Sequence, residues 1–177
     1  MKPQHPEVPL RDFFAGLTEF AFESKLGVAD PPLVDYLVEL MLRFVRADSL
    51  YHYRTLAGRR LLGVTEMVAE AEVRVGPARR DLHRHIGDYS LFWTGVYPEA
   101  LPRLTAISPK DQFVDFCAQG KTAYRIASGI PVEEPDTERP VLERLSEEFE
   151  LCVAGLAEVR REWERRDDGP GRVFVVR

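Results

Sequence analysis

The chain has little that would mark it as a particular kind of protein. Among its 177 residues there are only two cysteines, two tryptophans and three methionines. No run of 18 apolar residues occurs, so no membrane span is expected. The opening Met1–Pro6 stretch has no apolar core behind a basic start. No secretory leader is therefore expected, and the cytoplasm is the expected location. There is no excess of basic residues: the net charge is -5, which argues against broad contact with a nucleic-acid backbone. Internal repeats and low-complexity tracts are absent. So are the Gly-x-Ser-x-Gly elbow and the Gly-x-Gly-x-x-Gly dinucleotide fingerprint.

The two cysteines, Cys117 and Cys152, both fall in apolar helical patterns and lack C-x-x-C spacing. They read as buried, reduced thiols rather than as a disulfide, a zinc site or a nucleophile.

What is present is the composition of a globular protein, with 45% hydrophobic and 30% charged residues. Proline and glycine cut it into helical blocks. The first runs from about Leu10 to Leu26. The second opens at Asp30-Pro31-Pro32, where Asp30 suits an N-cap and Pro31 the first helical position. Leu33, Leu37, Leu40 and Phe44 form one seam of that block, and Val34, Val38, Met41 and Val45 another. A connection follows over Ser49–Gly58. A third block carries Leu61, Val64, Val68, Ala71 and Val75 as its apolar face. Gly76-Pro77 ends it and starts the fourth, which reaches Tyr97. Ser108-Pro109 opens the fifth, to about Ser128. Residues 129–140 form a proline-rich, acidic loop. The last block, Val141–Arg166, holds Leu142, Leu145, Phe149, Cys152, Leu156, Val159 and Trp163 in a three-four alternation. Residues 169–177 read as an extended, apolar tail. The expectation is an all-α single domain over 1–177: a compact bundle of five to six helices with that short tail, the second and fourth helices most buried.

The fourth block is the most distinctive. On a helix, Leu82, Ile86, Tyr89 and Trp93 share a core stripe. His83, Gly87, Ser90 and Thr94 form a flank narrow enough for another helix to approach. His83 and His85 point about 200° apart and cannot share an ion. Asp81, His85 and Asp88, at i, i+4 and i+7, share the other flank. Two carboxylates and an imidazole suit a divalent metal. The competing reading is a salt-bridge cluster in which Arg84 reaches Asp81 and Asp88. Tyr124 lies on the fifth block's core seam, where its hydroxyl needs a partner that His85 or Asp88 could supply. Lys121 would stand beside it. Gly120-Lys121-Thr122 matches the end of a P-loop, but Asp115 stands where the earlier glycine belongs, and no strand precedes it.

The segment His85-Ile86-Gly87-Asp88-Tyr89-Ser90-Leu91-Phe92, continuing to Gly95 and Pro98-Glu99, together with Gly120-Lys121 and Tyr124, resembles segments of an uncharacterised family of bacterial all-helical proteins. The resemblance spans roughly residues 30 to 130. It implies a bacterial origin and carries no assigned activity.

Two functional readings emerge, and the residues leave open whether the protein is an enzyme. In the leading one it is a non-enzymatic protein that binds a partner or itself through the last helix or the tail, with no cofactor. In the alternative, an enzyme or sensor holds a divalent metal at Asp81, His85 and Asp88, or a small ligand at His85, Asp88, Tyr124 and Lys121.

Overall fold

The computed structural model describes residues 10–44, 52–104 and 109–166, with the side chains of 109–111 left out of account. Among the described residues there are eight α-helices and no strand. They are α1 (Leu10–Glu19), α2 (Pro31–Phe44), α3 (Val64–Val73), α4 (Gly76–Gly95), α5 (Leu101–Leu104), α6 (Pro109–Gly129), α7 (Arg139–Glu147) and α8 (Phe149–Arg166). A π-helical turn, Phe20–Lys25, prolongs α1, and a 3-10 turn, Pro98–Ala100, leads into α5. No helix among the described residues is long and apolar enough to cross a membrane. The all-α expectation holds. The expected tail at 169–177 and the start of the Ser49–Gly58 connection lie outside the described residues.

The breakers act where their chemistry places them. Asp30 caps α2 by accepting the Leu33 N–H at 3.2 Å. Gly76 takes φ +57°, a left-handed conformation costly for other residues, and the chain reverses there between α3 and α4.

α4 is the central element. Apart from Arg84, its residues from Leu82 to Gly95 are all buried. Its small flank is where α6 lies closest. A Cβ on Gly87 would fall 2.6 Å from the Tyr124 ring, and one on Gly120 would meet the Phe149 ring at 2.5 Å and the Ser90 Cβ at 3.0 Å. Glycine at these positions is required by the close approach of the helices. α1 closes the far side. Phe14 packs edge-on against Trp163 of α8 at 5.4 Å, and the Phe22 ring fills the space over Gly155.

The expected last helix is two helices. Glu148, at φ -107° and ψ 29°, kinks the chain, while hydrogen bonds to Arg144 and from Cys152 keep the ladder continuous. The two halves of the apolar seam have different neighbours: α7 packs chiefly on α6, and α8 chiefly on α4. Ser146 Oγ donates to the Lys121 carbonyl at 2.9 Å and ties the first half to α6. Phe149, Cys152, Leu156 and Val159 are all fully buried inside the chain. The seam, whose spacing suits packing within one bundle or between two chains, is used within the fold.

The acidic loop is better anchored than its composition suggests. Arg80, nearly buried, makes a bidentate pair with Asp136 at 2.7 and 2.8 Å and also donates to the Ile130 carbonyl. The Arg80 guanidinium holds the Asp136 carboxyl well below the usual carboxylate range. Arginines of α8 also meet acids. Arg160 pairs with Glu99 and Glu164, and both Arg165 and Arg166 pair with Glu162.

α3 departs most from expectation. Of its expected face, Leu61 and Ala71 are buried, but Val64 and Val68 are only half-buried and Val75 is 82% exposed. Met67, Glu70 and Ala71 face inward instead, a rotation of roughly a quarter turn at 100° per residue. The cause is polar. Glu70 accepts from Arg74 and from the Leu56 N–H at 3.1 Å, and Arg74 reaches the Arg54 carbonyl. This network turns Glu70 and Arg74 toward the 54–56 loop and leaves valines outside.

Candidate functional site

Two regions qualify on chemical grounds. The first is centred on Asp88, which is 1% exposed. Its Oδ1 accepts from Tyr36 Oη on α2 and Tyr124 Oη on α6, each at 2.7 Å. Its Oδ2 accepts from the Arg43 guanidinium of α2 at 2.9 Å. Tyr36 and Arg43 stand seven residues apart, on one face of α2, so one helix supplies both. Arg43 also lies over the Tyr36 ring, 5.8 Å from its centroid.

The electrostatics keep these groups in one state. Burial, then the Asp88 charge, raises Tyr36 and Tyr124 well above the usual phenol range, so both stay protonated donors. Burial works against the charge on Arg43, but Asp88 and Tyr36 more than offset it, and its pKa lies above the ordinary value. A carboxylate offers about four acceptor positions. Three are taken by donors from α2 and α6, so the cluster clamps both helices onto α4.

The residues singled out in the sequence separate around this clamp. Among the described residues no group of three or more His, Cys, Asp or Glu is placed to hold a metal ion. Asp81, His85 and Asp88 therefore do not converge on one ion, although they share a helical flank. Asp81 is exposed, and its carbonyl accepts from Tyr53 Oη at 3.2 Å. His85 enters an aromatic nest, with ring centroids of Tyr53 at 4.7 Å, His52 at 5.0 Å and Phe44 at 5.9 Å. Arg84 turns away to Glu138 at 2.8 Å, and Arg43 takes the place expected of it at Asp88. Lys121 pairs with Glu150 of α8 at 2.9 Å and does not join the cluster. Of the two partners open to Tyr124, His85 and Asp88, it is Asp88 that accepts its hydroxyl. The sequence reading missed Tyr36 and Arg43. Their signal was available: a tyrosine and an arginine at i, i+7 beside the Leu33–Phe44 seam of α2, on the side away from the second seam.

The cysteines are poor nucleophiles here. Both are free and buried, and burial pushes Cys117 up to about 11 and Cys152 up to about 12.

The second region follows from the rotation of α3. A cleft of about 530 Å³ opens between α3 and α6. Leu62, Val64 and Val68 form one wall, Phe116 the other, and Tyr89 of α4 and Leu104 of α5 contribute apolar surface. Tyr89 and Phe116 stack with centroids 6.3 Å apart, which makes that surface firm. Glu66 and Asp115 bring carboxylates to the lining, which holds no lysine or arginine. Leu62 and Val75, and Leu56 on the adjoining loop, are exposed nearby. The sequence reading placed α3's apolar face in the core and so gave no hint of this surface.

Searches for similar proteins return no matching family model, no matching curated protein and no matching solved structure.

Proposed function

We propose that the protein is a binding module whose α3–α6 cleft receives an apolar peptide segment with basic flanks from another polypeptide. The observation that carries this reading is the turned α3. Val64 and Val68 sit half-buried at the edge of the core, and with Leu62 they line a cleft of about 530 Å³. Soluble chains seldom leave contiguous apolar surface open unless something covers it. The cleft's size is that of a small recognition pocket, with Tyr89 and Phe116 in its apolar lining and Thr65, Glu66, Gln112, Asp115 and Gln119 as its polar groups. Its two carboxylates, without a lysine or arginine in the lining, favour a ligand that places positive charge at the rim.

The Asp88 cluster contributes to this reading by holding α4 and α6 in place as the cleft's frame. Three of about four acceptor positions on Asp88 are taken by donors of the chain itself, which suits a brace better than a pocket.

The test is selection of peptides from a random display library on the immobilised protein, with dissociation constants measured for the selected sequences. Selected peptides should carry an apolar core with Lys or Arg beside it. Val68→Glu should weaken them at least tenfold and leave the circular dichroism spectrum unchanged. If no peptide is selected, or if those selected bind the Val68→Glu protein equally well, the reading fails.

A further inference from the structure

We infer that the polypeptide received by the α3–α6 cleft is a second copy of this chain, each copy placing its 54–60 loop in the cleft of the other; the inference rests on the binding reading above and names its partner.

The loop has the composition that the cleft favours. Arg54-Thr55-Leu56-Ala57-Gly58-Arg59-Arg60 sets Leu56 and Ala57 between arginines. Arg54 and Arg60 form an antiparallel bridge at its base. The Thr55 N–H donates to the Arg59 carbonyl at 2.8 Å, and the Gly58 N–H to the Thr55 carbonyl at 2.9 Å. The Arg54 guanidinium donates to the Gly58 carbonyl at 2.9 Å. Leu56 therefore stands 80% exposed on a turn that is already fixed, and docking it costs little further ordering.

Charge indicates where the loop fits. Arg59 and Arg60 are exposed, and among the described residues no acid pairs with either. Glu66 and Asp115 of the cleft are also exposed, and among the described residues neither pairs with a lysine or arginine. Nearby Arg74 and Arg79 do find acids, in Glu70 and Glu72. The loop thus offers an apolar tip with uncompensated base, and the cleft an apolar lining with uncompensated acid.

The loop does not reach the cleft of its own chain. Its Leu56 N–H is held by Glu70 at 3.1 Å, and its Arg54 carbonyl by Arg74. At 100° per residue Glu70 and Arg74 lie on one flank of α3, and Val64 and Val68 on the other. The exposed Thr65, Ala69 and Val73 form the face between them. A two-fold axis in front of that face and parallel to α3 exchanges the flanks. Each loop then meets the other copy's cleft, and the pairing closes at two copies.

The test is sedimentation equilibrium of the full chain over a range of concentrations. The parent should show a monomer–dimer equilibrium. Leu56→Glu should weaken pairing roughly tenfold or more and leave the circular dichroism spectrum unchanged. Arg59→Glu with Arg60→Glu, and Glu66→Lys with Asp115→Lys, should each weaken it as well, because each sets like charges together. An equimolar mixture of those two double variants should recover a dimer, since both of its contacts then join opposite charges. A parent that stays monomeric at every concentration, a Leu56→Glu protein that pairs as the parent does, or a mixture that fails to recover would overturn the inference. If it is overturned while display-selected peptides still bind the parent and lose affinity in Val68→Glu, the binding reading stands with a different partner. If the mixture recovers but the dissociated Leu56→Glu protein selects no peptide, the reading as a peptide-binding module fails and the cleft serves self-assembly alone.

Discussion

The surroundings of Asp88 and the outer face of α3 are built on opposite terms. Around Asp88 every strong donor has been drawn inward: phenols from two helices and a guanidinium meet one carboxylate, and glycines let the helices close over it. At α3 a polar network has done the reverse. Glu70 and Arg74 satisfy the 54–56 loop, and apolar side chains are left facing a cleft. The lesson is that the most conspicuous cluster of polar residues need not be where a protein meets its ligand. A carboxylate that already accepts from three donors has little left to offer, whereas uncovered apolar surface does.

Substitutions should separate the two regions by what they damage. The largest effect is expected from Asp88→Ala, which strands Arg43, Tyr36 and Tyr124. Loss of one partner of a buried pair costs about 3–5 kcal/mol, and the lower end applies because the Arg43 side chain remains 38% exposed. Urea unfolding at neutral pH measures it. Gly87→Ala comes next. Its new Cβ would collide with the Tyr124 ring, for a loss of about 1–3 kcal/mol by the same assay. Tyr124→Phe removes one hydrogen bond to a charged group and should cost about 1.5–3 kcal/mol. On the outer face, Val75→Ser should change stability by no more than about 0.5 kcal/mol. If Val75→Ser proves as damaging as Gly87→Ala, the contrast between interior and flank collapses.

A pH effect sharpens the interior side. His83 is 2% exposed, and neither ring nitrogen has a partner. Burial, then the Arg79 charge, lowers its pKa, and Glu72 opposes this only in part. The unfolded chain therefore takes up a proton near pH 6.5 that the folded chain resists. The resulting contribution to stability is full above pH 6.5 and is lost as pH falls through the folded-state value. In His83→Gln the decline in melting temperature below pH 6.5 should be shallower than in the parent. A decline of equal steepness would place the titrating group elsewhere.

The sequence disclosed the interior far better than the flank. Apolar periodicity found the helical blocks, and the small residues Gly87, Ser90 and Thr94 announced a close helix approach. The need of a buried phenol for a partner linked Tyr124 to Asp88. Tyr36 and Arg43 were overlooked because they stand outside the two apolar seams, on a side that reads as solvated. The kink at Glu148 has no glycine or proline to mark it; it arises because α7 and α8 pack on different helices. The rotation of α3 was illegible for a similar reason. Its valines have regular helical spacing, and tertiary bonds from Glu70 and Arg74 leave Val64 and Val68 at the edge of the core and Val75 exposed. The i, i+4, i+7 rule placed Asp81, His85 and Asp88 on one flank correctly but could not show that each meets different neighbours.

The most direct test of the division of labour is amide hydrogen exchange with and without a saturating display-selected peptide. The account predicts slowed exchange at residues 62–68 and 112–119, with little change at residues 84–88 and 36–43. Protection confined to residues 84–88 and 36–43 would contradict it and return the Asp88 cluster to the centre of function.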